Sequence, residues 1–215
     1  MIRVRAVLAG AALGAAIAGP AGAQRMGTDV FGYVGYSRAT FTDVGAADVR
    51  QEWVNGATGG VGLRHPIAGP AGLRTELLLA RRGGAFGVDL DGEEAQLSLD
   101  LVYLEVPLQL QFQSYERGRQ VRPFAFAGVV PSFKLGCDAE ARAPSVGVFQ
   151  RPCAEVLEED AEWFDLGAAG GAGVEIRRGR ALLQFQVRYF QSFTDLTPNI
   201  GAANRSFAFL LGVGM

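Results

Sequence analysis

The chain has 215 residues, of which 20 are Lys or Arg and 22 are Asp or Glu, so that its net charge is -2 at pH 7. Without a basic excess to neutralise phosphates, nucleic acid is not expected as a partner. Thirty glycines and nine prolines among abundant Val, Leu and Phe favour strands and turns over helices.

Residues 1–23 have the pattern of a secretory signal peptide. Arg3 and Arg5 give a basic start, a stretch of small apolar residues follows, and Ala-Gly-Ala ends at Ala23. We therefore expect cleavage between Ala23 and Gln24 and one domain over residues 24–215. A retained anchor helix is the alternative, but glycines interrupt the apolar stretch and it is shorter than a membrane span. Cleavage would lower Lys plus Arg from 20 to 18 and leave 22 acids, a net charge of -4.

Between Ala181 and Gln191 the two faces of a strand separate, with apolar residues on one face and polar residues on the other. The apolar face has Leu183, Phe185, Val187 and Tyr189, and the polar face has Gln184, Gln186 and Arg188. The same pattern recurs in eight segments, and no mature apolar run is long enough for a membrane helix. The predicted strands are Val30 to Phe41, Ala57 to His65, Leu73 to Arg82, Leu97 to Gln113, Val121 to Leu135, Trp163 to Arg177, Ala181 to Phe193 and Arg205 to Met215.

The predicted connections alternate in length. They have about 14, 14, 27 and 11 residues after odd strands but about 7, 7 and 3 after even ones, as in bacterial barrels with short periplasmic turns and longer outer loops. Both termini should then be periplasmic.

The residue types on the two faces of the strands predict which face points into the barrel. One face carries ionisable and amide groups, too many for a dry ligand pocket: Arg74, Glu76, Arg82, Glu105, Gln109, Gln111, Glu175, Gln184, Gln186 and Arg188. The other is an apolar band that lipid would accept: Leu73, Leu77, Leu79, Leu104, Val106, Leu108, Leu110, Leu183, Phe185, Val187, Phe207, Phe209, Leu211 and Val213. We predict an all-β, eight-stranded antiparallel up-and-down transmembrane β-barrel with a polar interior filled by side chains. An exported soluble lipid-binding barrel is the alternative.

An interior ion-pair network is expected among Glu76, Glu105, Glu175, Arg74 and Arg188. Glu105, Glu175 and Arg188 should meet near its centre. Paired carboxylates could also indicate acid/base catalysis, but a filled lumen leaves no room for a sugar.

Three further residue types support barrel architecture. Aromatic girdles are expected from Phe31, Tyr33, Phe112 and Phe124 at the periplasmic rim and from Phe133, Trp163 and Phe193 at the outer rim. The glycine clusters at 59–62 and 170–173 should relieve crowding in a narrow lumen. Pro107 and Pro131 predict bulges or local breaks.

Cys137 and Cys153 are the only cysteines, and in an exported protein they predict a disulfide. Metal binding by two lone thiols is the weaker alternative, and we predict no metal site and no cofactor.

Four segments resemble the PorT-like outer-membrane β-barrel family. They are Tyr103-Leu104-Glu105-Val106-Pro107-Leu108, then Arg122-Pro123-Phe124 with Ala127-Gly128, then Phe164-Asp165-Leu166-Gly167 with Gly171-Ala172-Gly173-Val174-Glu175, and Val187-Arg188-Tyr189 with Thr194-Asp195-Leu196. The likeness spans Val30 to Met215. It implies an eight-stranded barrel behind a signal peptide and links to surface assembly and protein secretion. One departure is that many outer-membrane barrels end in an aromatic residue, whereas this sequence ends in Met215.

We therefore predict a small non-enzymatic outer-membrane barrel with a structural or binding role, and not an open porin, because eight strands leave room only for side chains. A lipid-modifying enzyme is a further alternative, but His65 is the only histidine and precedes Pro66 at a turn. Outer-membrane lipid and envelope or secretion proteins are the expected partners, and no oligomeric state is predicted. Two acidic loops could also share divalent cations with anionic lipid: Asp89, Asp91, Glu93 and Glu94, and Glu155, Glu158, Glu159, Asp160 and Glu162.

Overall fold

The computed structural model describes residues 27–42, 50–90, 93–114, 120–143, 147–153, 163–197 and 200–215. Ala23 and Gln24, with the whole expected signal peptide, lie outside the described residues, so cleavage there stays a prediction. The strands are β1 (Asp29–Thr42), β2 (Arg50–Glu52), β3 (Val54–Ala68), β4 (Ala71–Leu90), β5 (Glu93–Glu105), β6 (Leu108–Gln113), β7 (Val121–Ala143), β8 (Gly147–Pro152), β9 (Phe164–Arg178), β10 (Ala181–Thr197) and β11 (Ile200–Gly214). Within these residues, no helix is both long and apolar enough to cross a membrane.

The strands form a closed antiparallel ring. Its order is β1, β3, β4, the pair β5 and β6, β7, β9, β10 and β11, and β11 pairs back with β1. Because β5 and β6 follow one another along the same neighbours, the ring has eight positions. The predicted eight-stranded up-and-down barrel is confirmed, and each predicted strand coincides with one position of the ring.

The two prolines share one interruption of the ring. Pro107 separates β5 from β6, and Pro131 lies in β7 across from that gap. The register is the same on both sides of the gap, because Glu105 pairs with Ser132 and Leu108 with Val129. Val106 N donates to Pro131 O at 2.9 Å across it. The ladder from β7 to β9 continues past Pro131 without a shift. The local breaks predicted at Pro107 and Pro131 are therefore one interruption, which lies between β5 and β6 and faces β7.

The two ends of the barrel differ. The turn end holds the start of β1, the end of β11 and the connections at 69–70, 114–120 and 179–180. The loop end holds the other four connections. At the loop end β4, β5 and β7 continue well beyond their neighbours, β2 pairs with β4, and β8 pairs with β7. We call this extension the distal sheet: β2, 83–90 of β4, 93–101 of β5, 136–143 of β7, and β8.

Two of the predicted loops are replaced by longer strands, one within the distal sheet and one between β10 and β11. Only residues 91–92 join β4 to β5, and only 198–199 join β10 to β11, instead of the loops of about 14 and 11 residues expected from barrel asymmetry. Backbone ladders continue there although the alternation of apolar residues has faded. Asp89, Glu93 and Glu94 belong to these strands, whereas Asp91 and the acidic residues from Glu155 to Glu162 lie outside the described residues.

Candidate functional site

The interior holds three groups of ion pairs, stacked from the turn end to the loop end. At the turn end, Arg64 of β3 contacts Asp29 and donates from Nη1 to Glu175 Oε2 at 2.6 Å. Gln184 Nε2 donates to the same carboxylate oxygen at 2.9 Å. Arg64 and Glu175 are both buried. Because β3 and β9 are not neighbours in the ring, this pair ties opposite walls of the barrel together.

The middle group is centred on Glu76 of β4. Arg188 Nη2 donates to Glu76 Oε2 at 2.6 Å, across the lumen from β10. Arg74 Nε donates to the other oxygen, Oε1, at 2.5 Å. All three side chains are buried, so one carboxylate compensates two guanidinium groups in a site without solvent contact.

The third group lies toward the loop end. Arg82 Nη2 lies 2.5 Å from Glu105 Oε1 and its Nη1 lies 4.0 Å from Asp165 Oδ2. Asp165 also accepts hydrogen bonds from Ser192 and, at 2.7 Å, from Thr194 Oγ1. Two of the segments that carry the PorT-like resemblance therefore meet at Asp165.

The structure places all five members of the expected network inside the barrel, but its pairing differs from the sequence-based expectation. Arg188 contacts Glu76, whereas Glu175 pairs with Arg64 and Glu105 with Arg82. Arg64 was absent from the expected interior set, and the predicted strand ended one residue after it at His65, whereas β3 continues to Ala68. Partners across a lumen depend on the stagger of the strands, which the sequence of one strand does not reveal.

Aromatic rings fill the spaces between these ion pairs. Arg74 Cζ lies 4.6 Å from the ring centre of Phe126, and Arg82 Cζ lies 3.4 Å from that of Phe190. Guanidinium groups over ring faces gain cation–π attraction, which is stronger where water is excluded. The expected periplasmic girdle was therefore wrong for three of its members, since Phe31, Tyr33 and Phe124 are buried inside, while Phe112 is exposed. At the loop end, Trp163 and Phe193 are exposed.

Glycines on neighbouring strands make room for the interior rings. A Cβ at Gly173 would lie 2.7 Å from Phe124 Cζ, and one at Gly171 would lie 2.6 Å from Phe126 Cζ. Tyr33 lies against glycines on both sides, because a Cβ at Gly212 or Gly62 would come within 2.6 or 2.9 Å of its ring. The expected role of the glycine clusters in relieving lumen crowding is confirmed at these positions.

An apolar cluster covers the ion pairs at the loop end. Its buried members come from β1, β5, β7 and β11 and from the residue after β8: Phe41, Leu99, Leu101, Tyr103, Ala139, Ala202 and Cys153. Phe86, Leu97 and Cys137 pack against it. Between this cluster and the turn end, the interior is occupied by side chains along its length.

The disulfide fastens the distal sheet to this cluster. Cys137 lies in β7, Cys153 directly follows β8, and their sulfurs are bonded with the Cα atoms 5.4 Å apart. The predicted disulfide is confirmed. It holds β8 against the end of β7, where all six residues of β8 are exposed.

The surroundings of His65 give little support to a catalytic role for this residue. Its side chain is exposed at the turn end, and Nδ1 lies 3.0 Å from Thr28 Oγ1. In the part of the chain that the structure describes, no group of three or more His, Cys, Asp or Glu side chains could hold a metal ion.

The outer surface of the ring is apolar. Leu79 is 53% exposed and its neighbour Leu78 is fully buried, and Leu211 is 37% exposed beside Leu210 at 3%. Residues 23–197 match the family described as "Outer membrane protein beta-barrel domain". The chain belongs to this family. It is therefore an outer-membrane protein, and the alternative of an exported soluble lipid-binding barrel was wrong, because ion pairs fill its interior and apolar side chains face outward.

Several solved structures resemble this outer-membrane β-barrel. Neisserial surface protein A is 12% identical, with a TM-score of 0.49 over 88% of this chain and 96% of that one. The outer membrane protein OprG from Pseudomonas aeruginosa is 14% identical, with a TM-score of 0.47 over 86% and 94%. The outer membrane enzyme PagL is 13% identical, with a TM-score of 0.40 over 86% and 97%. No curated protein matches the sequence.

Proposed function

We propose that this protein is a non-enzymatic interaction barrel, which anchors the distal sheet in the outer membrane and presents it to envelope or secretion proteins. The main support for this proposal is that the disulfide fixes β8 as an exposed edge strand beyond the barrel. An exposed strand edge offers unpaired backbone groups to which an extended segment of another protein can add. The four resembling segments support a finer placement among PorT-like barrels.

Two side chains make the edge of β8 a favourable contact surface. Val148 is 62% exposed and Phe149 is 48% exposed, next to Gln150 and Arg151. Exposed apolar groups beside polar ones are typical of surfaces that bind other proteins. Phe149 pairs with Ala141 of β7, which supports it from one side.

We propose further that the barrel has one orientation in the membrane and that its lumen is closed. The turn end, with both termini, faces the periplasm, and the distal sheet faces outward from the cell. Arginine–carboxylate groups and the apolar cluster fill the lumen, which favours a binding protein over a pore.

Site-specific photocrosslinking tests this function. A photoreactive phenylalanine analogue is placed at Phe149 and, as a control of equal exposure, at the membrane-facing Phe185, which is 47% exposed. In intact envelopes we expect discrete protein adducts from position 149 and lipid adducts alone from position 185. Absence of protein adducts at position 149, or the same proteins at both positions, would contradict the proposal.

Two assays on the purified barrel test the rival functions. We expect no steady conductance in a planar bilayer and no turnover of membrane lipid. Steady channels would establish a pore instead, and lipid turnover that is lost in His65→Ala would establish an enzyme.

A further inference from the structure

The outward face changes from apolar to polar at one level on four consecutive strands. Toward the loop end, Phe207 is followed by Arg205 on β11, Tyr36 by Arg38 on β1, and Tyr189 by Gln191 on β10. The register aligns these changes, because Phe207 pairs with both Arg38 and Tyr189. On β3, Ala57 gives way to Asn55, the partner of Arg38.

The two tyrosines at this level are oriented as at a membrane interface. Tyr36 donates from its hydroxyl to Asn55 Oδ1 at 2.6 Å, and Tyr189 donates to Gln191 Oε1 at 2.9 Å. Each ring thus lies on the apolar side while its hydroxyl is bonded on the polar side. Tyr and Trp favour this arrangement where hydrocarbon meets headgroups.

Two arginines flank one indole ring at this boundary. Arg205 Cζ lies 5.4 Å and Arg38 Cζ lies 6.0 Å from the ring centre of Trp53. Phe207 packs between Trp53, at 5.9 Å, and Tyr189, at 4.9 Å. Trp53, Tyr189, Arg205 and Phe207 line a depression of about 460 Å³, which we call the Trp53 cleft.

The two arginines of the cleft form no ion pair with the described carboxylates. No ion pair joins Arg38 or Arg205 to an acid within the ranges that the structure describes, and the nearby Glu52 accepts a hydrogen bond from Gln96 at 2.6 Å. At the equivalent level on β4, by contrast, Arg81 forms an ion pair with Asp100 of β5. The Trp53 cleft is thus a place where two outward guanidinium groups meet an apolar surface.

We propose that the Trp53 cleft binds an acylated phosphate, the phosphorylated glycolipid of the outer leaflet. Its phosphate would lie between the guanidinium groups of Arg38 and Arg205, which suit phosphate oxygens in charge and geometry. One acyl chain would lie along Phe207 and Tyr189 toward the apolar band. This site is separate from the edge of β8 and does not depend on binding by the distal sheet, but its place in the outer leaflet rests on the orientation proposed above.

Native mass spectrometry of the purified protein in neutral detergent tests the site with three probes: lipid A, phosphatidylglycerol and inorganic phosphate. We expect the wild-type protein to retain lipid A in preference to the other two. Replacement of both arginines, Arg38→Gln with Arg205→Gln, should weaken retention by about tenfold for each lost guanidinium, the equivalent of about 1.4 kcal/mol. The matched control Arg81→Gln removes an outward arginine that already has a partner and should retain lipid A as the wild type does.

Each contrary result overturns a definite part of the proposal. Equal retention by the double variant, or an equal loss in Arg81→Gln, would show that the Trp53 cleft is not the site. Retention of inorganic phosphate alone would overturn the acylated ligand, and equal retention of phosphatidylglycerol would overturn the glycolipid. Heat-modifiable gel migration, measured for each variant, ensures that only folded barrels are compared.

Discussion

Glu76 is the residue on which the middle of the barrel depends. It accepts hydrogen bonds from Arg188 and Arg74 in a fully buried site. Removal of one partner from a buried ion pair leaves an uncompensated charge, and the penalty is typically about 3–5 kcal/mol. Exposed ion pairs contribute less, about 0–1 kcal/mol.

The first prediction follows from this contrast. Arg188→Ala should lower the unfolding temperature of the barrel on heat-modifiability gels, whereas Arg142→Ala, which breaks the exposed pair with Glu140, should change it little. Glu76→Gln should lower the unfolding temperature more than Arg188→Ala does, because it leaves both Arg74 and Arg188 without their shared carboxylate, whereas Arg188→Ala leaves Glu76 paired with Arg74. The same melting temperature for Arg188→Ala and wild type would contradict the pairing.

The second prediction concerns the fit between Tyr33 and its flanking glycines. Gly212→Ala would place a methyl group 2.6 Å from the Tyr33 ring. Overpacking of this kind costs about 1–3 kcal/mol. Denaturant-induced unfolding in micelles should therefore show a destabilised variant, and Tyr33→Leu in the same chain should relieve it.

Gly32→Ala is the matched control, because nothing lies within 4 Å of a Cβ there. If Gly32→Ala and Gly212→Ala lose equal stability, the loss comes from the backbone preference of glycine, and contact with the Tyr33 ring does not cause it.

At the scale of elements, the disulfide belongs to the distal sheet more than to the ring. It links Cys137 within β7 to Cys153 after β8, at a sequence separation of 16, for which chain entropy suggests about 3 kcal/mol. The ladder of β1 with β11, which closes the ring, contains neither cysteine.

The third prediction separates the two units. Replacement of both cysteines by serine should leave heat-modifiable migration of the barrel unchanged but accelerate chymotryptic cleavage after Phe149, within β8. Mass spectrometry of the early fragments measures this. If the double variant loses heat-modifiability instead, the disulfide supports the ring itself.

The sequence predicts the ring positions better than the distal strands. The ring strands alternate because one face meets lipid and the other meets the packed lumen, and this period is visible in any one strand. Beyond Arg81 and Asp100 both faces of the sheet become mixed, so the alternation fades although β4 and β5 remain paired. The two-residue connection at 91–92 was consequently mistaken for part of a long loop.

The interior was only partly predictable for a different reason. Face assignment put Glu76, Glu105 and Arg188 inside, because charged groups on that face could not meet lipid. It placed Phe124 wrongly in the periplasmic girdle and did not assign Phe190, since an aromatic ring suits either a membrane interface or a lumen beside glycine. The choice is made by the neighbouring strand: Gly173 faces Phe124, and Gly167 faces Phe190.

On the scale of the whole molecule, the fold reverses the arrangement of a soluble protein. Ion pairs and rings fill the centre, aliphatic side chains form the surface, and the ring leaves no free edge between β1 and β11. The distal sheet and the Trp53 cleft both begin where the apolar outer surface ends.

The most direct test of this account is paramagnetic relaxation of leucine methyl groups in lipid nanodiscs, with a spin label on the lipid acyl chains. Leu78 and Leu79, like Leu210 and Leu211, are adjacent in sequence but point to opposite faces. We predict strong broadening of the methyl signals of Leu79 and Leu211 and weak broadening of those of Leu78 and Leu210. Stronger broadening at Leu78 and Leu210 would contradict the outward apolar surface and the account built on it.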